Sequence, residues 1–296
     1  MEYVWFKKPW DYELLDSGHG NRLERFGRFF LVRPDPGAIW EPRKPESVWK
    51  KCDAQFFGAK QDEAGRWHIH NQALRAPWTI HWDTLAFQLR LTPFKHTGIF
   101  PEQAANWEWL KNRLQARGKR EGKLKILNLF AYTGAATMVL AKLGCFITHV
   151  DASKPAIAWA KENQALNKLS SDSIRWILDD AIKFVHREVK RGNTYDIILL
   201  DPPAFGHSPS GKTWKFSHDL PKLLKECAQL LSPTADCVVI NAYATNASSL
   251  VLNNLAEDIF KNKKHTITHG ELCLSEPGDR MLSTGIVAQI SFSNKK

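Results

Sequence analysis

The sequence lacks the features that mark secreted, disulfide-bonded or membrane-spanning proteins. Its five cysteines are odd in number, scattered, and never part of a Cys-x-x-Cys pair, which argues against a disulfide framework or a structural zinc site. No apolar run approaches the roughly 18–20 residues that cross a bilayer. The first residues lack the basic region and apolar core of a secretory signal. The 11 histidines are dispersed, without a cluster at metal-ligand spacing. We therefore expect a cytoplasmic protein with reduced thiols and no metal.

A glycine-rich dinucleotide motif, an internal repeat and a low-complexity tract are also absent. Without Gly-x-Gly-x-x-Gly, the chain is not expected to bind a pyrophosphate in the manner of dinucleotide enzymes. Its 296 residues, 43% hydrophobic and 24% charged, are typical of a globular protein with one large domain or two modest ones.

The charge balance is basic, with 41 Lys and Arg against 31 Asp and Glu, and a net charge of +10. The excess peaks between residues 111 and 125, where the cations face a single acid, Glu121. Two interpretations remain open: an electrostatic footprint for a polyanion, or a solvated helix end and loop. The cations are Lys111, Arg113, Arg117, Lys119, Arg120, Lys123 and Lys125.

Residues 1–90 differ from the rest of the chain and carry seven of the 12 tryptophans. Turn formers separate short strand candidates such as 28–32 and 78–82, which predicts a small β-rich N-terminal domain or extension over residues 1–90. Its aromatic side chains can stack on nucleic-acid bases. More often such residues form the core of a small β unit, and we favour that for most of them.

From about residue 105 onward, strand patterns alternate with helix patterns. The order predicts a doubly wound, mostly parallel, seven-stranded Rossmann-like α/β sheet within residues 91–296. The last two strands are expected to form an antiparallel hairpin at the sheet edge. The predicted strands are 126–130, 146–150, 173–178, 195–200, 237–241, 265–274 and 284–292, and the predicted helices are 135–143, 155–167, 181–190, 220–231 and 248–260.

Residues suited to a ligand stand at successive strand ends. The first strand leads into a turn with Gly134 among small residues, which lets backbone approach a ligand and exposes helix N–H groups. Asp151 ends the second strand, where a carboxylate can bind ribose hydroxyls or cap the next helix. Asp179 and Asp180 end the third, where one can accept from an adenine amino group while the other caps a helix. A single glycine with small neighbours favours a ligand without phosphates.

The fourth strand ends in Asp201, followed by Pro202, Pro203, Ala204 and Phe205. Both prolines lack an N–H and have a fixed φ, so the strand must stop and the turn is stiff. The turn presents carbonyls to a planar amine and an aromatic ring to stack on it. Alone it is a strand stop, but after three other ligand-suited strand ends it predicts the place where a substrate reacts.

In this order, these segments resemble the class I S-adenosylmethionine-dependent methyltransferases. Within that class they are similar to the bacterial 23S rRNA base methyltransferases acting on cytosine C5 or guanine. The resemblance runs from residue 94 to the end, whereas residues 1–90 do not resemble the RNA-binding module of many of those enzymes. The matching segments are 95–103, 128–134, 150–153, 162–167, 179–181 and 201–205.

The resemblance implies S-adenosylmethionine as the cofactor, with its methionine end near 131–134, its ribose at Asp151, its adenine near Asp180 and the reacting base at 201–205. The implied cofactor-binding residues are Thr97, Gly98, Gln103, Asn128, Ala131, Tyr132, Thr133, Gly134, Asp151, Ala152, Ser153, Asp179, Asp180 and Ala181. The candidate catalytic residues are Asp201, Pro202, Pro203 and Phe205.

The kind of atom that is methylated follows from a missing cysteine. Methylation of cytosine C5 needs a thiolate nucleophile, and the resemblance puts Tyr243 in the place of that cysteine. Cys237 lies six residues earlier, inside a strand, where a small buried hydrophobe is expected. Nitrogen methylation needs positioning and an acceptor for the amine hydrogens. Asp201 and Pro202 therefore favour an N-methyltransferase acting on guanine or adenine in RNA.

Residues 206–215 are a candidate lid beside this turn. Lys212 is a candidate phosphate contact and Trp214 a candidate stacking residue for the substrate, with an ordinary polar loop and a packed tryptophan as the equal alternative. Tyr243 is a candidate to line the pocket or to make a structural hydrogen bond. Two other functions stay open: methylation of a small molecule or protein, and a non-catalytic RNA-binding protein that retains the fold.

Overall fold

A computed structural model describes residues 2–58, 65–117, 122–203, 205–207, 213–243 and 247–293. The chain divides into two compact units. The first, which we call the sheet unit, comprises residues 1–4, 106–272 and 285–296. The second, the N-terminal unit, comprises residues 5–105 together with 273–284.

The strands and helices are numbered in chain order. The strands are β1 (Tyr3–Trp5), β2 (Tyr12–Gly18), β3 (Asn21–Phe26), β4 (Phe29–Pro34), β5 (Ala54–Phe57), β6 (Arg66–Ile69), β7 (Trp78–Trp82), β8 (Leu85–Leu89), β9 (Lys125–Leu129), β10 (Phe146–Asp151), β11 (Ile174–Leu178), β12 (Ile197–Leu200), β13 (Phe205–His207), β14 (Thr213–Lys215), β15 (Cys237–Tyr243), β16 (His265–Ser275) and β17 (Met281–Phe292). The helices are α1 (Glu46–Trp49), α2 (Ala104–Ala116), α3 (Ala135–Lys142), α4 (Lys154–Leu166), α5 (Ala181–Lys190), α6 (Phe216–Gln229) and α7 (Ser249–Phe260).

The main sheet has eight strands in the order β1-β16-β17-β15-β12-β9-β10-β11. Neighbours from β15 to β11 in this order are parallel, and β17 is antiparallel to β15. The chain runs from β9 outward to β10 and β11, then crosses to β12 on the other side of β9. The direction of winding therefore reverses between β9 and β12. Open α/β sheets bind ligands outside the carboxyl ends of the strands at such a switch point.

The predicted doubly wound sheet is confirmed, with one strand more than the predicted seven. The additional strand is β1, which lies at the sheet edge beside β16, where the N–H of Glu271 donates to the carbonyl of Glu2 across 3.0 Å. Three residues are too few to show an alternating pattern, and backbone pairing at an edge places few demands on side chains.

The central strands form where the sequence is continuously apolar. All four residues of β12 are buried, as expected for a parallel strand covered by helices on both faces. Polar caps then start the helices: Ser153 accepts from the N–H of Ala156 at α4, and Asp180 accepts from the N–H of Lys183 at α5. Helix α6 begins at Phe216, four residues before its predicted start, and includes Pro221. The main bounds therefore follow local sequence, while tertiary packing extends α6.

Two cations of the basic segment pair inside the sheet unit. Arg113 Nε lies 2.6 Å from Asp236 Oδ1, and Arg117 Nη1 lies 2.7 Å from Asp236 Oδ2. Asp236 directly precedes β15 and is buried, so both arginines attach α2 to the amino edge of the sheet. Lys119 and Arg120 lie outside the described residues. These two arginines thus have a structural role at the edge opposite the switch point.

The N-terminal unit contains a five-stranded sheet, β2-β3-β4-β5-β6, and the two-stranded sheet β7-β8. None of the seven tryptophans in residues 1–90, all of which are described, is exposed, and Trp82 is 2% accessible. A buried ion cluster fastens β3 to β4: Arg33 donates two hydrogen bonds to Glu24, of 2.6 and 2.7 Å. Burial alone would favour the neutral acid, but Arg22 and Arg33 lower the pKa of Glu24. The tryptophans thus serve mainly as core.

Candidate functional site at the switch point

Strand register brings the predicted site residues of the sheet unit to one edge. Leu129 of β9 pairs with Val150 of β10 and with Leu200 of β12. The next residues along the three strands, Phe130, Asp151 and Asp201, therefore lie in one row. With strands 4.7–4.9 Å apart, the backbones of Asp151 and Asp201 are about 10 Å from each other, on either side of the turn that follows β9.

The turn at residues 130–134 has an uncommon backbone. Phe130, Tyr132 and Gly134 have φ values of +56°, +50° and +80°. Left-handed conformations of bulky residues cost about 1–3 kcal/mol each and cluster at functional sites. Gly134 is further restricted because a Cβ there would lie 3.2 Å from Ala160 Cβ and 3.3 Å from Met138 Cε. The turn is thus held in a strained shape directly at the switch point.

Asp151 is the residue that fastens this turn. Its Oδ2 accepts from the N–H of Tyr132 at 2.7 Å, and its Oδ1 accepts from the N–H of Ser153 at 2.8 Å. Burial raises its pKa, while these two backbone N–H groups act in the opposite direction. The helix cap is Ser153 rather than Asp151, and Ala152 between them is exposed. Each carboxylate oxygen has a second lone pair, so Asp151 can also accept from ribose hydroxyls.

Asn128 lies in a buried polar chain beneath the turn. Its Nδ2 donates to Thr137 Oγ1 at 2.9 Å, and that oxygen lies 3.0 Å from His149 Nδ1. Burial lowers the pKa of His149 to about 3, against an opposing backbone hydrogen bond with Tyr132. His149 is therefore neutral and can accept the Thr137 hydrogen. Sequence reasoning missed it, although a histidine inside an apolar strand is a signal of such a role.

A second amide supports the turn from α4. Asn163 Nδ2 donates to the carbonyl of Thr133 at 3.0 Å, and Asn163 is almost fully buried. The N–H of Ala131 donates to the carbonyl of Val150 at 3.1 Å. The implied methionine-end segment is therefore positioned by β10 and α4 together, and Asn163 of α4 was not among the predicted site residues.

The two acids after β11 have separate tasks. Asp180 caps α5 through its Oδ1, 3.0 Å from the N–H of Lys183. Asp179 forms an ion pair with Arg187 and accepts from the N–H of Asp180. Ala181, the first residue of α5, is buried. The predicted contact of adenine near Asp180 is compatible with the cap, since the cap uses one carboxylate oxygen, and it stays a prediction.

Trp214 holds the turn that follows β12. Its Nε1 donates to the carbonyl of Pro203 at 2.7 Å, and its ring meets Phe130 edge to face at 5.4 Å. With 8% of its surface accessible, Trp214 is packed rather than presented for stacking. Pro202 is buried beside the half-buried Asp201. The Pro203 carbonyl is thus engaged by the protein itself, and the roles predicted for Asp201 and Pro202 stay predictions.

The predicted lid is only partly described. Its ends, β13 and β14, pair as an antiparallel ribbon, with Gly206 opposite Trp214. The backbone of Phe205 belongs to β13, and its predicted stacking on the base stays a prediction. Lys212 lies outside the described residues.

The end of β15 carries Tyr243 and no thiol. Tyr243 is half-buried and pairs with Gly285, where a Cβ would meet the carbonyl oxygen of Ala242 at 2.6 Å. Cys237 stands at the other end of β15 and is fully buried, and this burial raises its pKa. All five cysteines of the chain are described, unpaired and buried. The structure thus offers no thiolate nucleophile at this edge.

Thr97, Gly98 and Gln103 belong to the N-terminal unit. Thr97 and Gln103 are buried, and Gly98 has a φ of +104°. Their contact with the cofactor stays a prediction. Across the described ranges, no three His, Cys, Asp or Glu side chains are grouped so that they could hold a metal ion. In the same ranges, no helix has both the length and the apolar character needed to cross a membrane.

Comparison with known proteins identifies the family. Residues 55–263 match the family model described as S-adenosylmethionine-dependent methyltransferase. The chain belongs to this family. The resemblance in the sequence is thereby confirmed, and S-adenosylmethionine is the cofactor of the family. The hydroxyl and amino groups of S-adenosylmethionine suit the carboxylates at the strand ends of this methyltransferase.

A Shewanella baltica protein named ribosomal RNA large subunit methyltransferase K/L is 35% identical over 159 residues, which are 52% of this chain and 21% of that protein. The match therefore spans about a fifth of the curated relative's length. The crystal structure of a SAM-dependent methyltransferase from Agrobacterium tumefaciens aligns with a TM-score of 0.93 and 41% identity, covering 98% of this chain and 93% of that one. A methyltransferase complexed with SAH, at 20% identity and a TM-score of 0.69, covers 96% of this chain and 76% of its own, and shares the fold.

Proposed function

We propose that this methyltransferase transfers the methyl group of S-adenosylmethionine to a nitrogen of a guanine or adenine in RNA, with ribosomal RNA favoured. The observation that carries the proposal is the 201–203 turn. This turn lies at the switch point, and its Asp201 directly follows the fully buried strand β12. Trp214 holds the turn through a hydrogen bond to the Pro203 carbonyl. RNA is the proposed partner, and the unpaired cysteines agree with a cytoplasmic location.

The chain's residues divide the work between holding and orienting. Bound S-adenosylmethionine supplies an electrophilic methyl group. Asp151 and the turn at 130–134 would hold its nucleoside and methionine ends. The Asp201 carboxylate and the Pro202 carbonyl accept the hydrogens of the substrate amine, which directs the nitrogen lone pair away from them. Asp201 is also the base that can take the proton lost from the methylated nitrogen.

Burial of the cysteines supports nitrogen over carbon as the methyl acceptor. A C5 carbon needs a thiolate to activate the ring. Cys237 is fully buried at the amino end of β15, whereas the reacting edge is at Tyr243. An exocyclic amine needs no covalent activation, only acceptors in a fixed place.

Ribosomal RNA is favoured because relatives carry that name and the chain is strongly basic. The test is to incubate the protein with tritiated S-adenosylmethionine and RNA from cells that lack it, followed by mass spectrometry of the nucleosides. We expect an N-methylated guanosine or adenosine. A 5-methylpyrimidine product would contradict the choice of atom, and label in a metabolite or protein fraction would support a non-RNA substrate.

Asp201→Ala tests the site itself. Loss of an acceptor that orients and deprotonates the amine is expected to lower kcat by at least about a hundredfold, while SAH binding by calorimetry is retained. Asp258→Ala, on an exposed position of α7, is the matched control with unchanged turnover. Full activity of Asp201→Ala would remove the assignment, and a wild-type protein that binds no SAH would point to a non-catalytic RNA-binding role.

A further inference from the structure

The five-stranded sheet of the N-terminal unit carries aromatic rings on its solvent face. Register defines that face: Gln55 of β5 pairs with Val32 of β4 and with His68 of β6. Because side chains alternate along a strand, residues two positions from these lie on the same side. The shared face therefore includes Phe30, Phe57, Arg66, His68 and His70, which we call the ring face.

The opposite side of the same strands forms the core. Leu31 and Ala54 are 0% accessible, and Phe56 is 3% accessible. On the ring face, Phe57 is 53% accessible and Phe30 is 38% accessible. A solvated sheet face ordinarily carries polar side chains, so large exposed apolar rings are the informative exception. On the ring face itself, Val32 is 3% accessible and packs with Leu23 and Cys52 in a small second cluster, but Phe30 and Phe57 are not part of that cluster.

The rings stand close enough to form one surface. The centroids of His68 and His70 are 4.7 Å apart, and those of Phe57 and His68 are 6.4 Å apart. Positions two residues apart on a strand are separated by about 6.8 Å. Aromatic side chains spaced in this way on neighbouring strands are how sheet surfaces stack the splayed bases of single-stranded RNA.

Charge on the two strands indicates an anionic occupant. Among the described residues 53–57 and 66–75, Arg66 and Arg75 are the cations and Asp53 is the one acid. The Asp53 carboxylate accepts from the N–H of Phe30 at 2.7 Å and from Asn71 Nδ2 at 2.8 Å. These two neutral donors hold the Asp53 carboxylate in place at the strand ends, and two arginines against this one acid leave the segments with a net positive charge. Arg66 is exposed beside Phe57, its register partner.

We propose that the ring face binds a single-stranded segment of RNA, with bases stacked on Phe57 and His68 and a phosphate paired with Arg66. The proposal deepens the proposed function, on which it rests, by naming where the RNA outside the reacting base is held. It requires no contact with the cofactor, so it can be measured separately from methyl transfer.

The test measures binding of a short fluorescein-labelled single-stranded RNA of mixed sequence to the full chain by anisotropy, without cofactor. The double variant Phe57→Leu, His68→Leu keeps apolar bulk and removes both rings. We expect its Kd to rise by at least about tenfold, because two base–aromatic stacks are lost. Phe57→Tyr keeps a ring and should bind as the wild type does. Ile39→Ala, an exposed apolar position of the same unit, is the control with unchanged Kd.

Arg66→Gln is expected to lower the slope of log Kd against log salt concentration by about 0.7, the value for one phosphate contact on a single strand. Wild-type affinity in the double variant would overturn the proposal and leave the ring face to a protein partner. Equal wild-type affinity for duplex RNA would overturn it too, since paired bases cannot stack on the rings.

The two proposals fail in different ways. Ring-dependent RNA binding without any methylated product overturns the proposed function alone. Methylation of RNA with the same KM in the wild type and the double variant overturns the ring face alone.

Discussion

The indole Nε1 of Trp214 lies 2.7 Å from the carbonyl oxygen of Pro203, to which it donates. This bond joins β14, the strand that directly precedes α6, to the turn that contains Asp201. The same indole packs edge to face on Phe130, the first residue of the strained turn after β9. One buried side chain thus contacts both turns that border the switch point, the turn after β12 through its N–H and the turn after β9 through its ring.

Trp214→Phe keeps an aromatic ring and removes the hydrogen bond. Loss of one hydrogen bond of this kind costs about 0.5–1.5 kcal/mol, and a looser acceptor turn lowers kcat by about tenfold. Calorimetry with SAH should show unchanged affinity. A drop in SAH affinity with unaltered kcat would show instead that Trp214 acts on cofactor binding through the turn at residues 130–134.

Gly134→Ala and Gly144→Ala form a matched pair. Both glycines have left-handed φ values, +80° and +84°, so both alanines cost about 1–2 kcal/mol of stability. A Cβ at 134 also meets Ala160 and Met138 at 3.2 and 3.3 Å, whereas nothing lies within 4 Å of one at 144. We expect Gly134→Ala alone to weaken SAH binding, by about tenfold or more. Equal SAH affinities in the two variants would show that the turn at Gly134 does not contact the cofactor.

His149 makes stability depend on pH. Its pKa is about 3 in the folded protein against 6.5 as an ordinary value, so the unfolded chain binds the proton first as pH falls. The free energy of unfolding therefore decreases below about pH 6.5, by about 2 kcal/mol at pH 5 from this group. Urea midpoints at pH 7 and pH 5 measure it. His149→Phe should reduce this pH dependence, and an unchanged dependence would contradict the assignment.

Thr137→Val tests the same chain without altering a titrating group. The isosteric valine leaves Asn128 and His149 without the hydroxyl that joins them. Each buried polar group that loses its partner costs about 1–3 kcal/mol in unfolding free energy. If the turn at residues 130–134 holds S-adenosylmethionine as predicted, the KM for S-adenosylmethionine should also rise while kcat changes little, because this polar chain lies beneath that turn. A stability loss without any change in KM would make the chain purely structural.

Arg113→Gln tests whether Arg113 of the basic segment, residues 111–125, has a structural role or binds a polyanion. Because Arg113 pairs with buried Asp236 at the amino edge, its loss should lower the unfolding free energy by about 1–3 kcal/mol. The salt dependence of RNA binding should stay as in the wild type. Lys123→Gln, an exposed position of the same segment, is expected to leave stability unchanged. A reduced salt slope for Arg113→Gln would restore the polyanion interpretation for this residue.

Local sequence predicted most elements of the sheet unit because their patterns were strong. The apolar run before Asp201 is a buried parallel strand, and Asp180 caps the helix that follows it. Strand β1 was missed because it is formed by backbone pairing at the edge of the sheet, and backbone pairing leaves no pattern in the side chains. The support of the turn at residues 130–134 by His149 and Asn163 was missed because both side chains belong to other elements of the sheet unit.

The sequence by itself determined that four strand ends carry ligand-suited residues, and that no cysteine occupies the place a C5 methyltransferase needs. The first follows from chain order, and the second is what the resemblance to the cytosine-C5 enzymes implies. Tertiary structure decided which partners the buried side chains take. Trp214 and Arg113 each had two open interpretations, and packing assigned Trp214 to Pro203 and Arg113 to Asp236. A buried donor or cation needs a hydrogen-bond or charge partner, and only the folded structure shows which group is close enough: Pro203 is 11 residues from Trp214, and Asp236 is 123 residues from Arg113.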